Sequence, residues 1–94
     1  MTNLPVYYTP MNSWERKQIR EEYTRIQKGK CYFCDQLLSG PPDQEVLDKS
    51  INLNLFPPNF LKYPVHLQHN HDTDLTEGSV HARCNAAMWQ YLGR

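Results

Sequence analysis

The chain has no apolar run approaching the roughly 18 residues that a membrane span requires. Its opening, MTNLPVYYTPMNSWERK, lacks the ordered basic, apolar and small-residue blocks of an export signal. Both absences predict a protein of the cytoplasm. Cysteine is scarce: there are three, an odd number that argues against a disulfide framework, as does a reducing compartment. Net charge is absent too, with 10 basic and 10 acidic residues, so wholesale attraction to phosphates is not expected. With 94 residues, 39% of them hydrophobic, the sequence predicts one domain over 1–94 with a small core. A core of that size calls for a staple such as a metal ion.

What charge there is lies unevenly. Residues 1–30 hold six basic and three acidic residues, and residues 31–94 hold four and seven. The basic half, with Arg16, Lys17 and Arg20, is the candidate surface for DNA phosphates. The alternative is that pairs such as Glu21–Arg25 merely solvate a helix face.

Pro5 and Pro10 predict an extended arm over residues 1–11. Ser13 is a candidate cap, and Ile19, Tyr23 and Ile26 repeat at helical spacing, so residues 14–28 read as a basic helix ended by Gly29. SINLNLF alternates like a short strand. Residues 65–72 and 79–83 read as two strands joined by DTDLTEG, and 85–92 as a closing helix with Trp89 in the core and Tyr91 on the surface. Trp14 reads as a packing anchor.

Two pairs with the same two-residue gap stand out. Cys31 and Cys34 form CYFC, and after 46 intervening residues His81 and Cys84 follow in HARC. Such a gap lets one turn present two ligands to one ion. Three thiolates and an imidazole suit tetrahedral zinc, and a closed set of four makes that zinc structural. The set uses every cysteine. It also anchors HLQHNHD, residues 66–72, which carries three of the four histidines. Asn85, directly after Cys84, can then point back toward a cluster with His69 and His71.

Taken in order, CYFC, HLQHNHDTD, the TEG turn, HARCN and NAAMWQY resemble the HNH endonucleases of the ββα-metal, or His-Me finger, group. The closest type is the recombination endonuclease VII of bacteriophages, along with small phage HNH proteins. The resemblance covers roughly residues 31–92. It implies a small α+β, zinc-stapled ββα-metal fold, with residues 1–30 as arm and basic helix and 31–94 as zinc knuckle and core. It places His69 on the general base, His71 on a second motif histidine and Asn85 on the asparagine that helps hold a catalytic cation. His81 stands where the phage resolvase type has cysteine. Gln68 stands where an aspartate often holds the cation, which leaves Mg²⁺ poorly served and either favours Mn²⁺, Ni²⁺ or Zn²⁺ or leaves activity low, unless Asp72 or Asp74 compensates. Candidate cation ligands are thus His71, Asn85, Gln68 and Asp72, and Arg83 is a candidate phosphate contact.

The activity implied is metal-dependent DNA hydrolysis or nicking by a phage- or prophage-encoded protein in the bacterial cytoplasm, as monomer or homodimer. The alternative is a zinc-dependent DNA-binding or interaction module with little or no cleavage, such as an accessory partner of a phage terminase. His66 reads as a bystander.

Overall fold

The computed structural model describes residues 3–93. Asn12, rather than Ser13, caps the first helix, α1 (Ser13–Ile26). Its Oδ1 accepts from Glu15 N–H at 2.8 Å, and the Glu15 carboxylate accepts from Asn12 N–H at 3.1 Å. This reciprocal pair satisfies two otherwise unpaired donors of the first turn. The helix stops two residues short of the expected end because Lys28 and Gly29 take left-handed φ angles of 58° and 76°. Ile19 and Tyr23 are buried as the spacing predicts, but Ile26 is exposed. The ion pair on this helix is Glu22–Arg25, not Glu21–Arg25.

After the CYFC turn come a one-turn helix, α2 (Gln44–Leu47), and a 3-10 turn at Leu53–Leu55. The strand expected in SINLNLF is therefore absent. Asn52 Oδ1 caps the turn by accepting from Asn54 N–H at 3.1 Å, no neighbouring strand pairs with it, and Leu53 and Leu55 stay exposed. An isolated alternating run with no partner has nothing to satisfy its backbone.

The rest is two strands and a helix: β1 (Val65–His69), β2 (Thr76–His81) and α3 (Ala82–Leu92), ended by Gly93 at a left-handed φ of 69°. The strands are antiparallel, with His66 opposite Val80, Leu67 opposite Ser79 and Gln68 opposite Gly78. A bulge between Gln68 and His69 shifts the register, so His69 pairs with Thr76. The second strand starts and ends earlier than expected, and α3 begins three residues sooner, at Ala82. Arg83, Cys84 and Asn85 are thus already helical. No helix among the described residues is long and apolar enough to cross a membrane.

The hairpin separates two small cores. Leu67 packs with Ile19 and Tyr23 of α1, while Val80 packs with Cys84, Ala87 and Met88 of α3 and with Cys31, Leu38 and Val46. Buried polar groups are paired across the first interface. Ser79 Oγ donates to Arg20 O at 2.7 Å, and Tyr23 Oη lies 2.9 Å from Thr76 Oγ1. The Gln27 side chain acts as a surrogate strand against β2. Its Oε1 accepts from Ser79 N–H and its Nε2 donates to Ser79 O, both at 2.9 Å.

This close approach explains Gly78. A Cβ there would stand 2.7 Å from Gln27 Oε1 and 2.9 Å from Tyr32 Cβ. Tyr32 Cβ is fixed to the backbone and cannot swing aside. Gly78→Ala is expected to destabilise the metal-loaded domain by about 1–3 kcal/mol, the usual cost of overpacking. A denaturation midpoint at constant metal concentration measures it.

The arm is not free. Tyr8 N–H donates to Asp74 O at 2.8 Å, Thr76 N–H donates to Val6 O at 2.9 Å, and Thr9 N–H and Oγ donate to the Asp74 carboxylate at 3.0 and 2.7 Å. Those two donors hold the Asp74 carboxyl below the usual carboxylate range. The arm is thereby laid along the hairpin turn, over His69.

Candidate metal centre and adjoining cleft

Cys31, Cys34, His81 and Cys84 converge, with their ligand atoms all within 4.8 Å of one another. Cys31 and Cys34 lie on the turn after α1, stabilised by Phe33 N–H donating to Cys31 Sγ at 3.4 Å and by a left-handed Asp35. His81 ends β2 and Cys84 sits in the first turn of α3, so the strand-to-helix junction delivers the second pair.

His81 Nδ1 is 3.5 Å from Cys34 Sγ and 3.6 Å from Cys84 Sγ. Ligands at about 2.3 Å for sulfur and 2.0–2.1 Å for nitrogen, set at the tetrahedral angle, stand about 3.5 Å apart. His81 Nε2 lies 2.9 Å from Leu37 O and 3.1 Å from Gly40 O. Carbonyls only accept, so Nε2 carries the proton and Nδ1 is left as the ligand nitrogen. The Cys31 thiol is pulled down to about 4, chiefly by a hydrogen bond from the Cys84 thiol. Cys84 is pushed up by the same bond and by burial. A buried Cys31 thiolate beside these groups is relieved by a cation, and these four residues could hold a metal ion.

On the face of β1 that meets α3 lies a cleft of about 380 Å³, lined by Arg16, Arg20, His66, Gln68, His69, His71, Asn85 and Trp89 among others. The sequence brings His69, His71 and Asn85 together there as expected, but it also brings His66. Asn85 Nδ2 donates to His66 Nδ1 at 3.0 Å, and Asn85 Oδ1 is buried without a partner. Only part of the signal for His66 was in the sequence, its place on the strand; the early start of α3 that turns Asn85 toward it was not. His66 lies two residues before Gln68, on the same side of a strand, and Asn85 one turn into α3 faces that side.

His69 stacks flat on Tyr8, with ring centroids 3.8 Å apart and planes 5° from parallel. The Arg16 guanidinium lies 3.9 Å from the centroid of the Tyr8 ring. His71 touches both His69 and Trp89, at 4.6 and 4.8 Å between centroids. Burial lowers the pKa of His66, against opposing hydrogen bonding to the backbone of Phe60 and Tyr63. Burial, then the neighbouring His71, lowers that of His69. Both rings are therefore neutral at pH 7.

Other expected site residues are placed differently. Gln68 lines the cleft but is almost fully buried, and its Nε2 donates to His69 O at 3.1 Å and Glu77 Oε1 at 3.4 Å. Asp72 lies outside this cleft, in the turn, where its N–H donates to Asn70 Oδ1 at 2.8 Å. Arg83 does not reach the cleft. Its Nη2 donates to Leu47 O and Lys49 O at 3.3 and 3.0 Å, closing the end of α2. Lys17 is exposed on α1, away from the cleft that Arg16 and Arg20 border. Trp14 is 67% exposed and packs nothing into a core, and Trp89 at 45% exposed is a wall of the cleft.

No protein-family model, curated protein or solved structure matches the chain.

Proposed function

We propose that this cleft hydrolyses a DNA phosphodiester with the help of one divalent cation, in a ββα-metal arrangement of the HNH type stapled by structural zinc. The observation that carries the reading is the convergence of a neutral His69, the His66–Asn85 pair and Arg16 on one cleft. The wall of that cleft is anchored to the Cys31–Cys34–His81–Cys84 centre through adjoining residues, Cys84 beside Asn85. Three sulfurs and one imidazole, with His81 Nδ1 at tetrahedral separation from Cys34 and Cys84 Sγ, select zinc over harder ions.

In this reading His69 accepts a proton from water as that water attacks phosphorus. The bond from phosphorus to the 3′ oxygen breaks, that oxygen takes up a proton, and a 5′-phosphate is left. Tyr8, stacked on one face of His69, fixes the plane of the base. Arg16 and Arg20 hold the phosphate, and Arg16 is positioned for it by Nη2 donating to Tyr8 O and Thr9 O at 3.3 and 3.5 Å.

The catalytic cation would be held by His66 and Asn85. The two side chains approach to 3.0 Å. That contact is a hydrogen bond from Nδ2 to Nδ1; a half-turn of the Asn85 amide would put Oδ1 in the same place, at about the spacing of adjacent ligands at roughly 2.1 Å on an octahedral ion. The unpartnered Asn85 Oδ1 is the acceptor such an ion would satisfy. When bound, the ion supplies positive charge to the phosphoryl group and the leaving oxygen. One imidazole and one amide favour Mn²⁺ or Ni²⁺ over Mg²⁺. His66 thus takes the part that Gln68, already engaged with Glu77, does not.

Zinc-loaded protein is expected to convert supercoiled plasmid to nicked circles with Mn²⁺ or Ni²⁺ added, and DNA ligase is expected to reseal them because the ends carry 5′-phosphate. DNA binding without nicking under any of Mg²⁺, Mn²⁺ and Ni²⁺ would overturn hydrolysis and favour the interaction module. The pH dependence is a further expectation. His69 must be neutral, and its pKa is lowered from the ordinary 6.5. The nicking rate should therefore fall to half its plateau at some pH below 6.5, whereas an unperturbed histidine would be half protonated at 6.5 itself.

A further inference from the structure

The cleft is poor in charge and rich in rings. Among its lining residues the cationic side chains are Arg16 and Arg20, while Tyr8, Phe60, Tyr63 and Trp89 supply four aromatic walls. Three of these rings already have ring partners, Trp89 through His71 at 4.8 Å between centroids. Tyr8 is stacked between Arg16 and His69, and Phe60 stacks on Phe56 and meets His66 edge-on. Tyr63 and Trp89 remain 64% and 45% exposed while bordering the same space. Lys62 Nζ stands 5.7 Å from the Tyr63 ring, where it can meet the phosphate next to a stacked base.

This balance bears on which form of DNA the cleft accepts. Duplex binding draws its affinity from many phosphate contacts, and a chain with no net charge and two arginines in its cleft offers few. Bases inside a duplex present edges, not faces, so exposed rings gain nothing from them. An unpaired base presents its face, and stacking on an aromatic side chain tolerates any sequence. The cleft volume of about 380 Å³ lies within the range of small-molecule sites, large enough to take up a base.

We infer that the cleft takes single-stranded DNA, with unpaired bases stacked on Trp89 and Tyr63 and a phosphate between Arg16 and the histidines. The inference rests on the hydrolytic reading for its substrate, but it is tested by binding alone.

The probe is the fluorescence of Trp89 in zinc-loaded Trp14→Phe protein, which leaves Trp89 as the single tryptophan. Oligo(dT) of about 12 nucleotides is titrated against a duplex of the same length, with no second cation present. Oligo(dT) is expected to quench Trp89 and to bind at least about tenfold more tightly than the duplex. Tyr63→Ala, at an exposed position that leaves folding intact, is expected to weaken oligo(dT) binding by about fivefold or more and to leave duplex binding unchanged. Equal or tighter binding of the duplex, binding of neither, or oligo(dT) binding without quenching would overturn the inference. Because no cleavage enters this measurement, a plasmid left intact under every cation would sink hydrolysis while quenching by oligo(dT) still stood.

Discussion

Removing the metal from the Cys31–Cys34–His81–Cys84 centre with a chelator is expected to unfold the domain, and Cys84→Ser is expected to do the same with zinc present. The size of the effect follows from what else holds the chain. The two cores are small: three buried residues between α1 and the hairpin and seven on the other side, two of which are cysteines of the candidate metal centre. The sheet is a single hairpin of five and six residues, which is marginal in water without further packing. Structural zinc in small peptides contributes on the order of 10–16 kcal/mol apparent at neutral pH, comparable to or larger than the whole stability of a typical domain. The staple also joins the turn after α1 to the junction of β2 and α3, so its loss frees the helix that carries Asn85. Far-UV circular dichroism during chelation, and zinc stoichiometry of wild type against Cys84→Ser, measure it. A cooperative thermal transition retained by metal-free protein would contradict the staple.

The second large effect is expected at His69. His69→Ala should reduce the nicking rate by about 10²–10⁴-fold, the usual contribution of a positioned general base. The structure gives reasons to assign the loss to chemistry. His69 is partly exposed and its side chain anchors no core, since Leu67 does that work on the same strand. The Tyr8 ring would lose a stacking partner but keep Arg16 on its other face, and the arm would keep its bonds to Asp74 and Thr76. A variant with wild-type zinc content and unfolding midpoint, but without nicking even at saturating DNA, is the expected phenotype. Asn85→Ala should behave differently. On the proposed hydrolytic reading it would remove one of two cation ligands, so its nicking should need a higher Mn²⁺ concentration rather than vanish at saturation.

Much of this arrangement was legible in the sequence because its signals are local. The repeated two-residue gap in CYFC and HARC marks a ligand set regardless of what lies between. The hairpin and closing helix follow from alternation and from good helix formers. What the sequence did not display depends on contacts between distant segments. His66 reads as a solvated strand residue until α3 is known to begin at Ala82, which turns Asn85 toward it. Trp89 reads as core until the short α3 is seen to leave that face open to the cleft. Arg83 reads as a phosphate contact until α2 places the Leu47 and Lys49 carbonyls within its reach. SINLNLF carries a strand pattern, but pairing needs a neighbour that no pattern within seven residues can reveal.

The most direct test of the central claim is chemical rescue at position 69. Zinc-loaded His69→Gly is incubated with supercoiled plasmid and Mn²⁺, with and without added imidazole, beside wild type. The account predicts that the variant is nearly inactive alone, that imidazole restores part of its nicking, and that wild type is unaffected. Nicking by His69→Gly at the wild-type rate without imidazole would contradict it.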